Sequence, residues 1–549
     1  MAYRFTVAFL VLLGLGVLFS AEIADSDFWW HLKTGQYIAR SHRLPDPDPF
    51  AFTSPNSTAE AIVRDVNLTH EWLAQTLLYL VFAAFGFAGV VVARVVLLLA
   101  FCVIAGLIVY WRGQGFPYAI AAASAAGIAV YPFAADRPYL LTFVFVAAFV
   151  ALLDSAPRKI RWIVAPLMLI WANCHGGFVL GLAVVGVWVV AALFTRRDLS
   201  QLAAIWAVTA IAAAFNPNGL RVFEALVSYR RSFLTSTLAE WQPPSLWPPG
   251  TFSVFLVSAG AVLIYRRNRV RMTDAILFAL FAGLALLAGR NAFLIAFAAP
   301  VMVFTYLPVS LQRFRWSAPG ICALAVSAIA VTIAINGRYT PELRTADWEY
   351  PVEGARFLRE HQITGRMFNT YEYGGYLIWT LWPQQRVFID GRALSESVFR
   401  DYGRILHFAD SASGKSSIDL LDQYGIDVIL MNNFEYTTGS VYALSPALAE
   451  ATDSPWKLVH ADRTAVVFLR HPPPNIPPID PEQVFTSMQS ECALHIEHEP
   501  RYPGCARALG LMYAAVGEPA NARRWLALYL EHHTGAKDSE AEQAFAAQR

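Results

Sequence analysis

Apolar stretches recur through the first 335 residues with few polar positions inside them, and then stop. The candidate membrane spans are 5–21, 87–110, 117–134, 138–154, 160–174, 177–195, 200–215, 250–265, 272–288, 291–307 and 318–335. Several are shorter than the roughly 20 residues a helix needs to cross a bilayer, so their ends are set only to within a turn. The stretch 72–85 is different. It opens on the polar run His70-Glu71-Trp72 and lasts about four turns, which predicts an interfacial helix lying on the outer face rather than a crossing. The first stretch is long and no small-x-small cleavage pattern follows it, which predicts a retained helix rather than a signal peptide.

Beyond residue 336 the pattern becomes that of an ordinary water-soluble chain. Residues 351–358 read as a helix. Residues 366–369, 387–392, 427–430 and 465–469 read as strands, with a helix over 417–424, and this alternation predicts an α/β domain over 336–471. A proline-rich linker, 472–481, leads to a helical tail, 482–549. Within it, Ala508–Gly517 and Ala520–Leu526 resemble one tetratricopeptide-type (TPR-like) helix pair. A single pair makes no solenoid, so it reads as a small cap or a surface for a protein partner. The predicted fold class is therefore a polytopic α-helical membrane domain over 1–335, with about eleven transmembrane helices and a large outer first loop at 22–86. A soluble α/β domain and a short TPR-like tail follow.

Charge decides which way the helices run. Of 549 residues, 56% are hydrophobic and 15% charged, against about 25% charged in a soluble domain. Net charge is +1, and the soluble part has no basic cluster with interleaved aromatics, so nucleic-acid binding is not expected. With eleven crossings and the N-terminus inside, the inner loops hold Arg112, Arg158, Lys159, Arg196, Arg197, Arg266, Arg267, Arg269, Arg271, Arg313 and Arg315. Every short Lys/Arg cluster of the membrane part then falls inside, as the positive-inside rule requires. Counting 72–85 as a crossing would invert every later loop. The soluble domain is placed outside, which means the periplasm if the membrane is a bacterial inner membrane. Cys102, Cys174 and Cys322 lie in or at apolar stretches as packing residues. Cys492 and Cys505 stand thirteen residues apart in the tail and can pair if it lies outside the cytoplasm.

The outer loops gather the chemically capable residues. The first carries Asp25-Ser26-Asp27-Phe28-Trp29-Trp30-His31-Leu32 just after the first span, then His70 and Glu71. Later ones carry Asp136-Arg137, Asn173-Cys174-His175-Gly176-Gly177, Asn216-Pro217-Asn218-Gly219, Glu240-Trp241 and Gly289-Arg290-Asn291. Acidic groups at membrane depth are costly and usually have a task, and tryptophans there are expected at the lipid interface. Asp25 and Asp27 can hold a hard cation such as Mg²⁺ or Mn²⁺, act as a general base, or cap the helix that follows. His31, His70 and His175 are candidate phosphate donors or metal ligands, although no spacing typical of zinc is present. Gly176 and Gly177 leave room for a ligand near the backbone. Arg137 and Arg290 suit phosphate binding or snorkelling to headgroups. Arg94, inside a span, needs a partner or a wet cavity. In the soluble part, Glu372, Tyr373 and Asp390-Gly391-Arg392 lie at a strand end or turn, where either a site or a structural turn fits.

This arrangement resembles the GT-C superfamily of membrane glycosyltransferases. These have a large outer first loop with surface helices and an essential acidic residue near the end of the first span, the place that Asp25 and Asp27 hold here. Oligosaccharyltransferase catalytic subunits in that superfamily add a soluble domain with a Trp-Trp-Asp-Tyr-Gly acceptor motif. Tyr371-Glu372-Tyr373-Gly374-Gly375-Tyr376 is distantly similar, without the tandem tryptophans and with Glu for Asp. The chain also looks like a broad group of bacterial membrane proteins sharing the D-x-D-x-W-W-H-L, T-H-E-W-L, H-G-G and Y-E-x-G-G-Y-L runs. The resemblance implies a polyprenyl-phosphate-linked sugar donor and transfer with inversion. Asp25 or Asp27 would be base or metal ligand. His31, His70, Glu71 and His175 would complete the pocket, Arg137 or Arg290 would bind the leaving phosphate, and Glu372 and Tyr373 would bind substrate. Two other readings stay open: a non-catalytic scaffold for polysaccharide assembly acting through its tail, and a lipid or solute transporter. A transporter would be expected to carry polar residues at mid-membrane and internal repeats.

Overall fold

The structure is a computed structural model that describes residues 2–54, 61–229, 233, 237–307, 318–337, 340–410, 414–451, 454–535 and 537–548. Arg313 and Arg315, assigned above to the last inner loop, lie outside the described residues. The chain divides into two compact units, Met1–Asp46 with Thr58–Thr345, and Pro47–Ser57 with Ala346–Arg549.

The first unit is built of helices: α1 (Ala2–Phe19), α2 (Asp27–Ser41), α3 (Ala61–Thr69), α4 (Trp72–Val109), α5 (Phe116–Val130), α6 (Tyr139–Ser155), α7 (Val164–Trp171), α8 (Val179–Thr195), α9 (Leu199–Ala213) and α10 (Arg221–Tyr229). Helices over Thr251–Tyr265, Met272–Leu287, Phe293–Tyr306 and Ala318–Ile335 follow. Four helical stretches among the described residues are long and apolar enough to cross a membrane: Ala61–Gln114, Phe116–Phe133, Gly176–Thr195 and Gly289–Tyr306. Shorter apolar helices coincide with the other stretches read from the sequence. Large side chains fill the space between them. Phe143 stacks on Phe293 with ring centres 4.1 Å apart, and Phe101 meets Phe297 at 5.5 Å. Phe9, Phe85, Phe194 and Ile264 stay exposed, as apolar groups that face lipid do.

The stretch 72–85 is a helix of its own, as expected, because α4 is two helices that meet at a break in the backbone at Gly86 (φ 64°, ψ −161°). One expectation changes here. Trp29 and Trp30 are not lipid anchors but are buried in protein. Trp29 packs edge-on against Phe28 and Phe87, and Trp30 turns its indole N–H toward Asp27.

Charges inside this unit are paired. Arg94 of α4 is buried and donates to the Asp136 carboxylate and to the carbonyls of Phe19 (3.0 Å) and Ala21. A buried cation with neither partner nor acceptors would be strongly unfavourable. A second network joins Arg112 to Asp154 and Asp274 at 3.0 Å each. Arg271 adds contacts to Asp154 (2.7 Å) and Asp274 (3.0 Å), and the Tyr306 hydroxyl donates to Asp274 at 2.5 Å. Arg112 and Arg271, read from the sequence as loop charges, thus tie together α6 and the helices at 272–287 and 293–306.

The second unit is α/β. Its main sheet has four strands in the order β1 (Arg366–Asn369), β2 (Ile426–Met431), β6 (Val466–Leu469), β5 (Lys457–Ala461). β1 pairs with β2 in parallel, Phe368 beside Ile429, and the other two pairings are antiparallel. β3 (Phe434–Glu435) and β4 (Ser440–Val441) make a small hairpin. The two inner strands, β2 and β6, are rich in β-branched and other apolar residues and are buried on both faces except at Asp427, whereas the outer strand β5 is exposed at Lys457. The expected helices at 351–358 and 417–424 are present as Val352–Glu360 and Ser417–Tyr424.

The stretch 387–392, expected as a strand, does not join this sheet. Val387 forms only an isolated bridge with Ala51, and the chain then turns. Arg392 causes the turn, since its guanidinium is buried between Asp390 (2.6 Å) and Asp48 (2.9 Å) over the Phe50 ring. Asp390-Gly391-Arg392 is therefore a structural turn.

In the tail, helices Gly504–Ala515 and Pro519–His532 pack through Gly510 against Leu526. A Cys492–Cys505 disulfide, Cα atoms 5.7 Å apart, ties the helix Gln483–His498 to this pair. Closing so short a loop should contribute about 3 kcal/mol. Replacing both cysteines by serine should lower the melting temperature of the purified chain by several degrees. An unchanged melting curve would show that packing alone holds the tail.

Candidate functional site

The site starts at the end of α1. Asp25 accepts the Asp27 backbone N–H on Oδ1 at 2.8 Å and so opens α2, the capping role open to either aspartate. Its other oxygen meets Arg137 Nε at 2.5 Å. Arg137 Nη1 reaches Asp27 Oδ2 at 2.6 Å, and Asp27 Oδ1 accepts from the Trp30 indole at 3.0 Å. Glu240 closes the group from the far side, 4.0 Å from Arg137 and 3.2 Å from Arg290, whose guanidinium lies over the Trp241 ring at 4.4 Å. Burial pushes the Asp27 carboxyl up to about 6; Arg137 opposes the rise and Asp25 adds to it. The Arg137 guanidinium is held far above its usual range by the two aspartates, which outweigh its own burial.

A second cluster adjoins the first. Glu71 is its hub, with His31 Nδ1 at 3.4 Å, His70 Nε2 at 3.4 Å and His175 Nε2 at 3.6 Å. Burial by itself would raise the Glu71 carboxyl, but the three histidines hold it well below the carboxylate range. His70 shows the converse. Burial lowers it, and the charge and hydrogen bond of Glu71 more than restore it, so it is raised above the usual imidazole value, with Nδ1 facing the Val66 carbonyl at 2.8 Å. Burial takes His31 down to about 3 and His175 to about 4, so both are neutral near pH 7. His175 Nδ1 accepts from the Gly177 N–H (3.0 Å) and faces the Thr142 hydroxyl (2.7 Å), which assigns its proton to Nε2, toward Glu71. The charges of Arg137 and Asp25 act on His31, and that of Arg290 acts on His175, so the two clusters form one electrostatic system.

The supporting contacts explain the sequence runs around these residues. Thr69 bonds Asn218 at 2.9 Å, and the Trp72 indole donates to Asn173 Oδ1 at 2.8 Å, so both ends of the Thr69–Trp72 segment are anchored. Asn173 also donates to the carbonyls of Leu169 and Phe215. Two glycines allow close approach. A Cβ on Gly35 would lie 1.9 Å from the Gln75 carbonyl oxygen, so α2 rests directly on the start of α4. One on Gly177 would lie 2.6 Å from Thr142 Oγ1 and 2.8 Å from His175 Nδ1. The space at the His-Gly-Gly run is thus used by the Thr142–His175 contact, where the sequence suggested room for a ligand.

Eight of the ten candidate site residues meet in this way: Asp25, Asp27, His31, His70, Glu71, Arg137, His175 and Arg290. Glu372 and Tyr373 belong to the second unit. There Glu372 accepts from the Tyr442 hydroxyl at 3.0 Å, and burial pushes its carboxyl up to about 7. Tyr373 is buried and its hydroxyl donates to the Thr464 carbonyl, so it is committed to packing. Sequence reasoning named Glu240 as an outer-loop residue without giving it a role, and passed over Thr142 and Gln75, whose side-chain amide faces His31 Nδ1 at 3.2 Å. Their only signal was a polar side chain beside or within an apolar stretch.

No family model and no curated protein sequence matches the chain. Solved structures do. The Archaeoglobus fulgidus oligosaccharyltransferase AglB, in complex with an inhibitory peptide and a dolichol-phosphate, superimposes with a TM-score of 0.60 at 10% identity, covering 96% of this chain and 86% of AglB. A complex of the same oligosaccharyltransferase with Zn and sulfate gives 0.53 at 10% identity over 97% and 86%. ArnT from Cupriavidus metallidurans, in the apo state, gives 0.50 at 14% identity over 86% and 99%. The fold is that of the GT-C membrane glycosyltransferases. In a GT-C fold the helical unit is a membrane domain and the α/β unit a soluble one, as the hydropathy of the two parts requires.

Proposed function

We propose that the chain is a GT-C-type glycosyltransferase that moves a sugar or glycan from a polyprenyl-phosphate-linked donor to an acceptor on the outer face of a bacterial inner membrane. The observation that carries this reading is the Asp25–Arg137–Asp27 group, with Glu240 and Arg290 beside it, next to the first helix of a GT-C fold. One aspartate takes the proton of the acceptor hydroxyl or amide as that atom attacks the anomeric carbon. The bond from that carbon to the phosphate oxygen breaks, the phosphate keeps the electron pair, and the configuration inverts. Arg137 is held by Asp25 and Asp27 through Nε and Nη1. Arg290, 31% exposed, is the cation better placed for the leaving phosphate. That AglB is seen with a dolichol-phosphate supports a lipid-linked donor here. The arginine-rich loops and the tail disulfide support a periplasmic soluble domain.

The test is transfer from defined polyprenyl-phosphate sugars to envelope acceptors by the purified chain in nanodiscs, followed across pH. A base must be ionised, and the Asp27 carboxyl ionises near pH 6. Activity through Asp27 should be level above about pH 7 and fall about tenfold per unit below about 6. A rate that holds level down to pH 5 removes Asp27 from the role of base.

A further inference from the structure

GT-C enzymes with an acidic pair in this loop invite a divalent cation, and Asp25 with Asp27 is the pair that would hold it. A Mg²⁺ or Mn²⁺ ion needs about six oxygen donors converging on one point. The oxygens here are already engaged. Asp25 Oδ1 takes the Asp27 backbone N–H, Asp27 Oδ1 takes the Trp30 indole, and the two Oδ2 atoms face Arg137 Nε and Nη1 at 2.5 and 2.6 Å. The third carboxylate, Glu240, faces Arg137 and Arg290. Among the described residues no three His, Cys, Asp or Glu side chains are placed to share one ion. The residues do not fit a divalent cation.

We propose that the Arg137 guanidinium is the resident cation of this site, bridging Asp25 and Asp27 where other acidic-pair enzymes would bind a metal, so that the chain works without one. The proposal rests on the transferase reading for its consequence and on geometry for its substance. A guanidinium suits the place because it is planar, charged at every working pH, and offers parallel donors to two carboxylates at once. It fixes the spacing of the two aspartates and opposes the rise that burial imposes on the Asp27 carboxyl. Being covalently attached, it cannot be removed by chelation. It carries one charge where a metal carries two, so the leaving phosphate must draw the rest of its compensation from other cations, such as Arg290, which meets Glu240 beside the acid pair. Arg137 is thus a positioning residue, acting through the carboxylates.

The experiment is Mn²⁺ binding to the full-length protein in nanodiscs, read by electron paramagnetic resonance without any donor present, together with transfer assays after EDTA treatment. The wild-type chain should leave about 100 µM Mn²⁺ free, and EDTA should change its transfer rate by less than twofold. Arg137→Ala opens a cleft of three carboxylates and should bind Mn²⁺, whereas Arg137→Lys, which keeps one positive charge there, should bind much less. Stoichiometric Mn²⁺ on the wild-type chain that disappears in Asp27→Asn would overturn the proposal, whatever the variants at 137 do, and so would loss of transfer with EDTA that Mn²⁺ restores. The binding measurement involves no sugar. A wild-type chain that binds no Mn²⁺ and also transfers nothing would count against the transferase reading and leave the assignment of Arg137 standing.

Discussion

Asp27→Asn should lower sugar transfer about 1,000-fold, within the range that loss of a general base typically costs, while the protein inserts and melts as before. Asparagine fills the same volume and can keep the Trp30 bond through its carbonyl. What goes is the proton acceptor and one half of the Arg137 bridge. Asp25→Asn makes an informative companion. Asparagine caps a helix about as well as aspartate, so the bond from the Asp27 backbone N–H survives, and any loss reports charge rather than folding. The variant with the larger fall in kcat identifies the base, and the other aspartate then serves to position it. Full transfer in both variants, measured on protein of normal yield and monodispersity, ends the enzyme reading.

The largest effect on stability should come from the Arg94–Asp136 pair. Both side chains are buried, and Arg94 also satisfies the Phe19 and Ala21 carbonyls. Asp136→Ala leaves a guanidinium without its counter-charge and should cost about 3–5 kcal/mol, seen as a fall of many degrees in thermal aggregation temperature in detergent. Arg94→Leu alone strands the carboxylate and should cost a similar amount. Joining Arg94→Leu with Asp136→Leu removes both charges and should recover much of the loss, because a buried ion pair is often no more stable than its apolar replacement. If the double variant is as unstable as the singles, the carbonyl contacts of Arg94 matter more than its charge.

The apolar stretches were legible because hydropathy is a local property, but the acids are not confined to one end, since Asp154 and Asp274 pair with Arg112 and Arg271. Pairing was not legible. Arg94 announced that it needed a partner, but Asp136 is 42 positions away and nothing local names it. The two tryptophans were assigned to lipid on a rule for exposed helix ends, and α2 instead buries them against α4. Residues 387–392 have the composition of a strand, yet Arg392 turns the chain toward Asp48, which is 344 positions earlier. Arg137 looked like a phosphate ligand because its residue type suits phosphate. Two aspartates 110 and more positions earlier claim it first.

Arg94 and Glu71 lie on the two sides of Gly86, where two helices meet at a break in the backbone. Arg94 is bound to Asp136, whose chain neighbour Arg137 holds the two aspartates. Asp27 opens α2, which presents His31 back to Glu71. Following these links returns to the starting point, so they make a closed linkage with no free end. The joints are covalent or ionic except at His31, a neutral imidazole 3.4 Å from the Glu71 carboxylate, and Gly86 is the only joint in α4 with non-helical backbone. In such a frame the acidic pair and the histidine group cannot drift apart independently. A displacement at any one joint is shared around the circuit, so substitutions far from the carboxylates, at Arg94 or at Gly86, should register as changes in the spacing between proton acceptor and leaving-group cation.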